Sequence, residues 1–219
     1  MIKLENVTKI YGGKDNQTVA LDGVNISIED GEMLAIMGPS GSGKSTLLNI
    51  IGAMDTLTSG DYYFDDIKVN TLSDKKIHQF RKNNISFVFQ NFALMGNYTV
   101  FENVELPLIS KGVSAKNRRQ IVNEQLKLMG IDELAKKYPA KISGGQQQRC
   151  AIARALASGN KLILADEPTG ALDHKTGEDI MDTFVRLNEM GKTIIIITHD
   201  ENVARKCKRI ITIKDGKIE

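Results

Sequence analysis

Gly38-Pro39-Ser40-Gly41-Ser42-Gly43-Lys44-Ser45 follows an apolar run, Met33–Met37, and leads into Thr46, Leu47, Leu48 and Ile51. This reads as a strand, a glycine-rich turn and a helix. Glycines let the backbone curl so that several N–H groups face inward, where they can hold phosphate oxygens. The helix that follows adds the positive end of its dipole. Lys44 supplies a charge for the outer phosphates and Ser45 a hydroxyl for a Mg²⁺ that travels with them. Thr46 is counted with the same nucleotide-binding loop. A chain of 219 residues meets the pattern G-x-x-x-x-G-K-[ST] by accident roughly 1% of the time, and the strand–turn–helix setting makes an accident rarer still.

A second stretch completes the first. Leu162-Ile163-Leu164-Ala165 is apolar and ends in Asp166-Glu167. A buried strand that delivers a carboxylate to its end is what such a fold needs to hold Mg²⁺ through its water shell, and Asp166 is assigned that role. Glu167, one residue on, can orient and deprotonate an attacking water. Together the two stretches define a P-loop NTPase, with a kinase or a GTPase still open at this point. No Asn/Thr-Lys-x-Asp guanine-reading motif is present, which weighs against the GTPase.

Apolar runs bounded by turn residues alternate with segments of helical period, as in an α/β fold with a mostly parallel sheet. Ile85–Phe89, Leu162–Ala165 and Thr193–Thr198 join Met33–Met37 as its strands, and the last two are apolar on both faces. Ile2–Thr8, Val24–Ile28 and Asp61–Phe64 alternate and suit an antiparallel β edge layer. Between Asn91 and Ile142 the period changes: Thr99–Ile109 and Ser114–Met129 read as helices, with Val122, Leu126 and Met129 on one face. The expected organisation is one domain, 1–219. Its RecA-like core is built from 1–90 and 155–219, and a helical subdomain, 91–154, is inserted between them.

Composition narrows the partners. The chain is 41% hydrophobic and 26% charged, and 29 basic against 27 acidic residues leave a net charge of +2. That balance carries no nucleic-acid footprint. No run approaches the ~18 apolar residues that span a bilayer, and Met1–Glu5 does not begin a signal peptide. The expectation is a cytoplasmic protein whose membrane role comes through a partner. Cys150 and Cys207 have neither metal nor redox spacing and read as ordinary thiols.

Ile142-Ser143-Gly144-Gly145-Gln146-Gln147-Gln148-Arg149 opens another helix with an N-terminus fit for an anion. It resembles the signature sequence of ATP-binding cassette proteins, with Ile142 where the family usually has Leu. The resemblance implies that Ser143, Gly144, Gly145 and Gln146 reach the γ-phosphate of ATP held on the phosphate loop of a second copy, so that two copies enclose two ATPs. Further matches follow in family order over nearly the whole chain. Tyr11 corresponds to the aromatic that stacks on adenine. Gln90 corresponds to the glutamine that touches Mg²⁺ and the attacking water. Ala171-Leu172-Asp173 matches the loop that crosses the dimer interface, and His199 the histidine at the γ-phosphate. Lys44, Gln90, Glu167 and His199 are thus the expected catalytic group, with Ser45, Gln90 and Asp166 around Mg²⁺.

Phe87-Val88-Phe89-Gln90-Asn91-Phe92, Thr99–Leu108 and Asp166–Asp173 are similar to one branch of the family. It holds the macrolide-exporter, lipoprotein-release and antimicrobial-peptide-resistance ATPases and a related cell-division ATPase. The implied role is an ATP-hydrolysing subunit that drives a separate permease exporting or extracting peptides, lipoproteins or other amphiphiles, with a non-transport role such as cell division as the alternative. The permease is expected to dock near Phe92, Leu94, Met95 and Leu106.

Overall fold

The computed structural model describes residues 1–13 and 16–219. Strands β1 (Ile2–Tyr11) and β2 (Thr18–Ile28) pair antiparallel, and β1 pairs on its other edge with β4 (Ser59–Phe64), which carries the short β5 (Ile67–Lys68). These four make one sheet, ordered β2-β1-β4-β5. The expected edge layer is therefore present, with longer strands than the alternation alone marked.

The second sheet holds β3 (Met33–Met37), β6 (Ile85–Phe89), β7 (Leu162–Asp166), β8 (Thr193–Ile197), β9 (Arg209–Lys214) and β10 (Lys217–Ile218). Its order is β10-β9-β3-β8-β7-β6; every pair but β10 with β9 is parallel. Helix α1 (Lys44–Ile51) follows β3, and α2 (Asp74–Asn84) precedes β6. Then come α3 (Val100–Ser110), α4 (Ala115–Leu128) and α5 (Gly144–Ala157), followed beyond β7 by α6 (His174–Glu189) and α7 (Glu201–Arg205).

Two hydrophobic cores share the parallel sheet. Leu162 and Leu164 of β7, with Ile195 and Ile197 of β8, face one core together with Leu47, Leu48 and Ile51 of α1 and the inner side of the antiparallel sheet. Their neighbours Ile163, Ala165, Ile194 and Ile196 face the other, among Ile152, Phe184 and Ile180. The period-2 geometry of a strand produces this division, and burial on both faces explains why these segments read as unbroken apolar runs. The second core continues into the helical region through Val104, Leu108, Val122 and Leu126. Helix α5 runs unbroken past residue 154, the expected end of the inserted segment.

The registers set up the site. Ile36 lies opposite Ile197, Ile197 opposite Asp166, and Asp166 opposite Phe89. Whatever follows these residues leaves the sheet along one edge, at the carboxyl ends of its strands, which is where open α/β sheets place their ligands.

Candidate nucleotide site

Four loops leave that edge, and each carries a residue singled out in the sequence. After β3 comes the phosphate loop. Gly38 has φ 147°, and a Cβ there would stand 2.1 Å from the carbonyl oxygen of Ile213, so only glycine fits. Gly43, at the N-cap of α1, is also left-handed. The Lys44 ammonium donates to the carbonyls of Gly38 and Pro39, both at 2.7 Å, which holds it across the mouth of the loop. The Ser42 hydroxyl is buried with no partner among the described residues.

After β7 comes Glu167, a non-glycine residue with φ 46°. Such a backbone costs of order 1–3 kcal/mol and persists only where its surroundings impose it. Here the Glu167 N–H donates to Ile197 O at 3.0 Å, and its carbonyl accepts from Gly170 N at 3.0 Å. The turn aims the carboxylate at the loop after β8, where His199 Nδ1 lies 2.8 Å from Glu167 Oε1. That contact raises the His199 pKa above the ordinary imidazole value. The Asp166 carboxyl is also raised: burial first, and then the neighbouring Glu167, push it up, while Lys44 partly opposes them.

After β6 comes Gln90. Its side chain lies over Gly170, with Nε2 2.7 Å from where a Cβ on that residue would stand. An open cleft of about 420 Å³ is bounded by Phe89, Gln90, Asn91, Asp166 and Ala171. Gln90, Asp166, Glu167, His199 and Lys44 thus lie along one edge of the parallel sheet. Ser45 and Thr46 open α1 beside them.

A divalent ion fits this edge on its chemistry. Among the described residues no group of three or more His, Cys, Asp or Glu gathers into a metal cage. What the edge offers is a hydroxyl (Ser45), an amide (Gln90) and a buried carboxyl with a second carboxylate next to it. Hard oxygen donors too few to hold an ion alone suit Mg²⁺, which keeps several waters and completes its shell with substrate phosphates. A nearby cation would oppose the rise in the Asp166 pKa, as Lys44 already does in part.

The signature segment has other neighbours, Phe92 and Leu172 at Gly144 and Thr176 at Gly145. Ser143 Oγ accepts from Gln146 N, and Gln146 Oε1 accepts from Ser143 N at 2.9 Å, a capping box that fixes the start of α5. A Cβ on Gly145 would meet Thr176 Cγ2 at 2.4 Å, so α5 and α6 begin in close contact. No hydrogen bond among the described residues joins Ser143–Gln146 to Gly38–Thr46. Asp173 caps α6: its carboxylate accepts from Thr176 N at 3.0 Å and from the Thr176 hydroxyl at 2.6 Å.

Sequence reasoning missed the residues that tie these parts together. Arg154 of α5 donates to the carbonyls of Ala93 (2.6 Å) and Phe92 (2.9 Å), both at positive φ, and so steadies the loop that begins at Gln90. Gln148, wholly buried, donates to Pro168 O at 2.6 Å and links α5 to the turn after Glu167. Arg154 looks like any helical cation. Gln148 left a trace, a polar residue on the same face as Ile152 and Ala155.

The family model described as "ABC transporter" matches residues 21–170. The chain is 54% identical to an uncharacterised ABC transporter ATP-binding protein of Methanocaldococcus jannaschii, over 100% of this chain and 95% of that one. It is 44% identical to the macrolide export ATP-binding/permease protein MacB of Escherichia coli, covering all of this chain but 34% of that protein. A dimeric, post-hydrolysis structure of the archaeal cassette bound to ADP and Pi superposes with a TM-score of 0.91 at 52% identity, over 100% of this chain and 97% of that one. The chain belongs to the ABC transporter family and is one of its ATP-hydrolysing cassettes.

Proposed function

We propose that this cassette works as a pair of identical copies enclosing two MgATP and drives a separate membrane permease that exports or extracts peptides, lipoproteins or other amphiphiles. The observation that carries the pairing is the separation, within one chain, of two helix starts fit for phosphate: the loop ending at Lys44 and the capped start of α5. Each copy completes the other's site. The dimeric ADP-bound form of the archaeal relative supports the same reading.

Phosphoryl transfer asks for positioning and charge neutralisation. Lys44 exchanges the Gly38 and Pro39 carbonyls for the outer phosphates, while Ser143, Gly144 and Gly145 of the second copy close over the γ-phosphate. Ser45, Gln90 and Asp166 would hold Mg²⁺, which neutralises phosphate charge when bound. Glu167 accepts the proton of the attacking water, a role typically worth ~10²–10⁴ in rate, and His199 fixes the carboxylate from the adjacent strand end.

No helix among the described residues is long and apolar enough to cross a membrane; in this reading the membrane-crossing part is the permease, and the cassette sits peripherally against its inner side. The fusion of ATP-binding and permease parts in the MacB name supports such a partner. Docking falls where the helical region meets the core. Met95 is exposed there. A groove of about 360 Å³ is lined by Met54, Arg81, Phe87, Pro107 and Arg154 among others, and Arg154 also holds the Phe92 and Ala93 carbonyls just before Met95. Leu94 packs inward against the second core. Purification of the chain from membranes in mild detergent should retain a multi-span protein. Met95→Glu and Arg81→Glu should lose it while ATP turnover stays unchanged. Equal retention by both variants would place docking elsewhere, and the absence of any membrane protein would overturn the reading.

A further inference from the structure

Lys9 is nearly buried, at 8% exposure, which is uncommon for lysine unless it is paired. It lies two residues before Tyr11 on β1, and side chains at that spacing leave a strand on the same face. Its ammonium donates to Asp55 Oδ1 and to the Thr56 carbonyl, both at 2.6 Å. It also stands 4.7 Å from the centroid of the Tyr11 ring. The second oxygen of the same carboxylate, Asp55 Oδ2, accepts the Tyr11 hydroxyl at 2.6 Å. Tyr11 itself is 40% exposed. One carboxylate therefore fixes both a cation against the ring and the far end of the ring.

We propose that Lys9 and Asp55 are positioning residues for the nucleobase, holding the Tyr11 ring ready as the platform on which adenine stacks. The proposal rests on the reading of Tyr11 as that platform. An aromatic at the exposed end of a strand would otherwise sample several orientations and be ordered only when the base arrives, at a cost to affinity. The clamp is also joined to the triphosphate end of the site. Asp55 follows closely on α1, and Met54 N and Asp55 N both donate to Asn49 O of that helix. Base and phosphates are thus gripped from two ends of one element. The titration behaviour agrees with a tight network. Burial works to raise the Asp55 carboxyl, but the bonds from Lys9, Tyr11 and the Thr56 backbone together hold it below the usual carboxylate range. Burial and the Asp55 bond push the Tyr11 phenol up, with Thr46 opposing.

A purely structural ion pair that pins β1 to the loop after α1 would leave the preference for a base untouched, and this separates the two roles. The experiment is calorimetry of the chain with ATP and with inorganic tripolyphosphate, which has no base. Tyr11→Ala should weaken ATP about tenfold and leave tripolyphosphate unchanged. Lys9→Met and Asp55→Ala should each weaken ATP about three- to tenfold, again with tripolyphosphate unchanged, and should add nothing in a Tyr11→Ala background. Tyr11→Phe, which keeps the ring and removes only its bond to Asp55, should shift ATP in the same direction by about threefold; it decides the matter if Asp55→Ala does not fold. A wild-type ATP-to-tripolyphosphate ratio in Lys9→Met and Tyr11→Phe overturns the clamp while leaving the stacking role intact. An unchanged ratio in Tyr11→Ala removes the stacking role and the clamp with it.

Discussion

Glu167 and His199 come from adjacent strand ends and meet at 2.8 Å, so the carboxylate bears on the charge of the imidazole. The imidazole is mostly exposed, with 74% of its side chain accessible, while the carboxylate is largely covered. The hydrogen bond raises the folded-state His199 pKa. Any stability from the pair is therefore fully present below the unfolded imidazole value and is lost as pH rises through the raised folded value. With so much solvent around the ring the contribution is small, but the titration itself is readable. In the nucleotide-free chain, the His199 ring should titrate above the ordinary histidine midpoint by NMR. Glu167→Gln should return it to that midpoint; an unmoved midpoint in the variant would show that the carboxylate does not set it. Lys44, Ser45, Asp166 and Glu167 were legible in the sequence as residue types at a spacing, and Gln90 and His199 as candidates through the family resemblance. What no spacing carries is the strained φ of Glu167, the carbonyls held by Lys44, or the grip of Arg154 on Phe92 and Ala93, because these depend on where separate loops meet.

At the scale of elements, four helices begin with a side-chain cap, the short α7 through Asp200, which accepts from Asn202 N. Thr99 and Glu102 form a capping box on α3, Ser143 and Gln146 on α5, and Asp173 alone caps α6. The cap on α6 matters for the site because it fixes the far end of the loop from Glu167 to Asp173, whose near end is held by Gln148 at Pro168. Asp173→Ala removes the acceptor for Thr176 and should cost about 1 kcal/mol by denaturant unfolding, with Asp173→Asn recovering most of it. A stability equal to wild type in the alanine variant would mean that the α6 start is held by other contacts. Strand β2 begins six residues before the expected Val24, whereas the parallel strands β3, β6, β7 and β8 and the helices α3 and α4 were legible to within a residue or two, the strands as apolar runs and the helices through their buried stripe. Helix α2 was not, and the reason is physical: Phe80 is its one buried residue among those described, so no apolar period marks it. The five-residue α7 is too short to show a period at all.

For the whole molecule, the order of strands β9-β3-β8-β7-β6 explains why stretches scattered from residue 38 to residue 199 act as one site. The parallel sheet gathers their carboxyl ends, while α5 begins elsewhere and is tied back through Gln148 and Arg154. The α/β class, the edge layer and the inserted helices all followed from the hydrophobic pattern. The groove between α2, α3 and α5 did not, since it is a gap between elements and leaves no trace in any one of them. In the proposed reading each chain carries its nucleotide-binding parts in two places, and a pair of chains brings them together. Glu167→Gln should still bind ATP but fail to hydrolyse it, so the pair should persist. The deciding measurement is the molar mass of that variant by light scattering, with and without ATP. The account predicts a single chain without nucleotide and a doubled mass with ATP. A mass that stays at one chain under saturating ATP would contradict it.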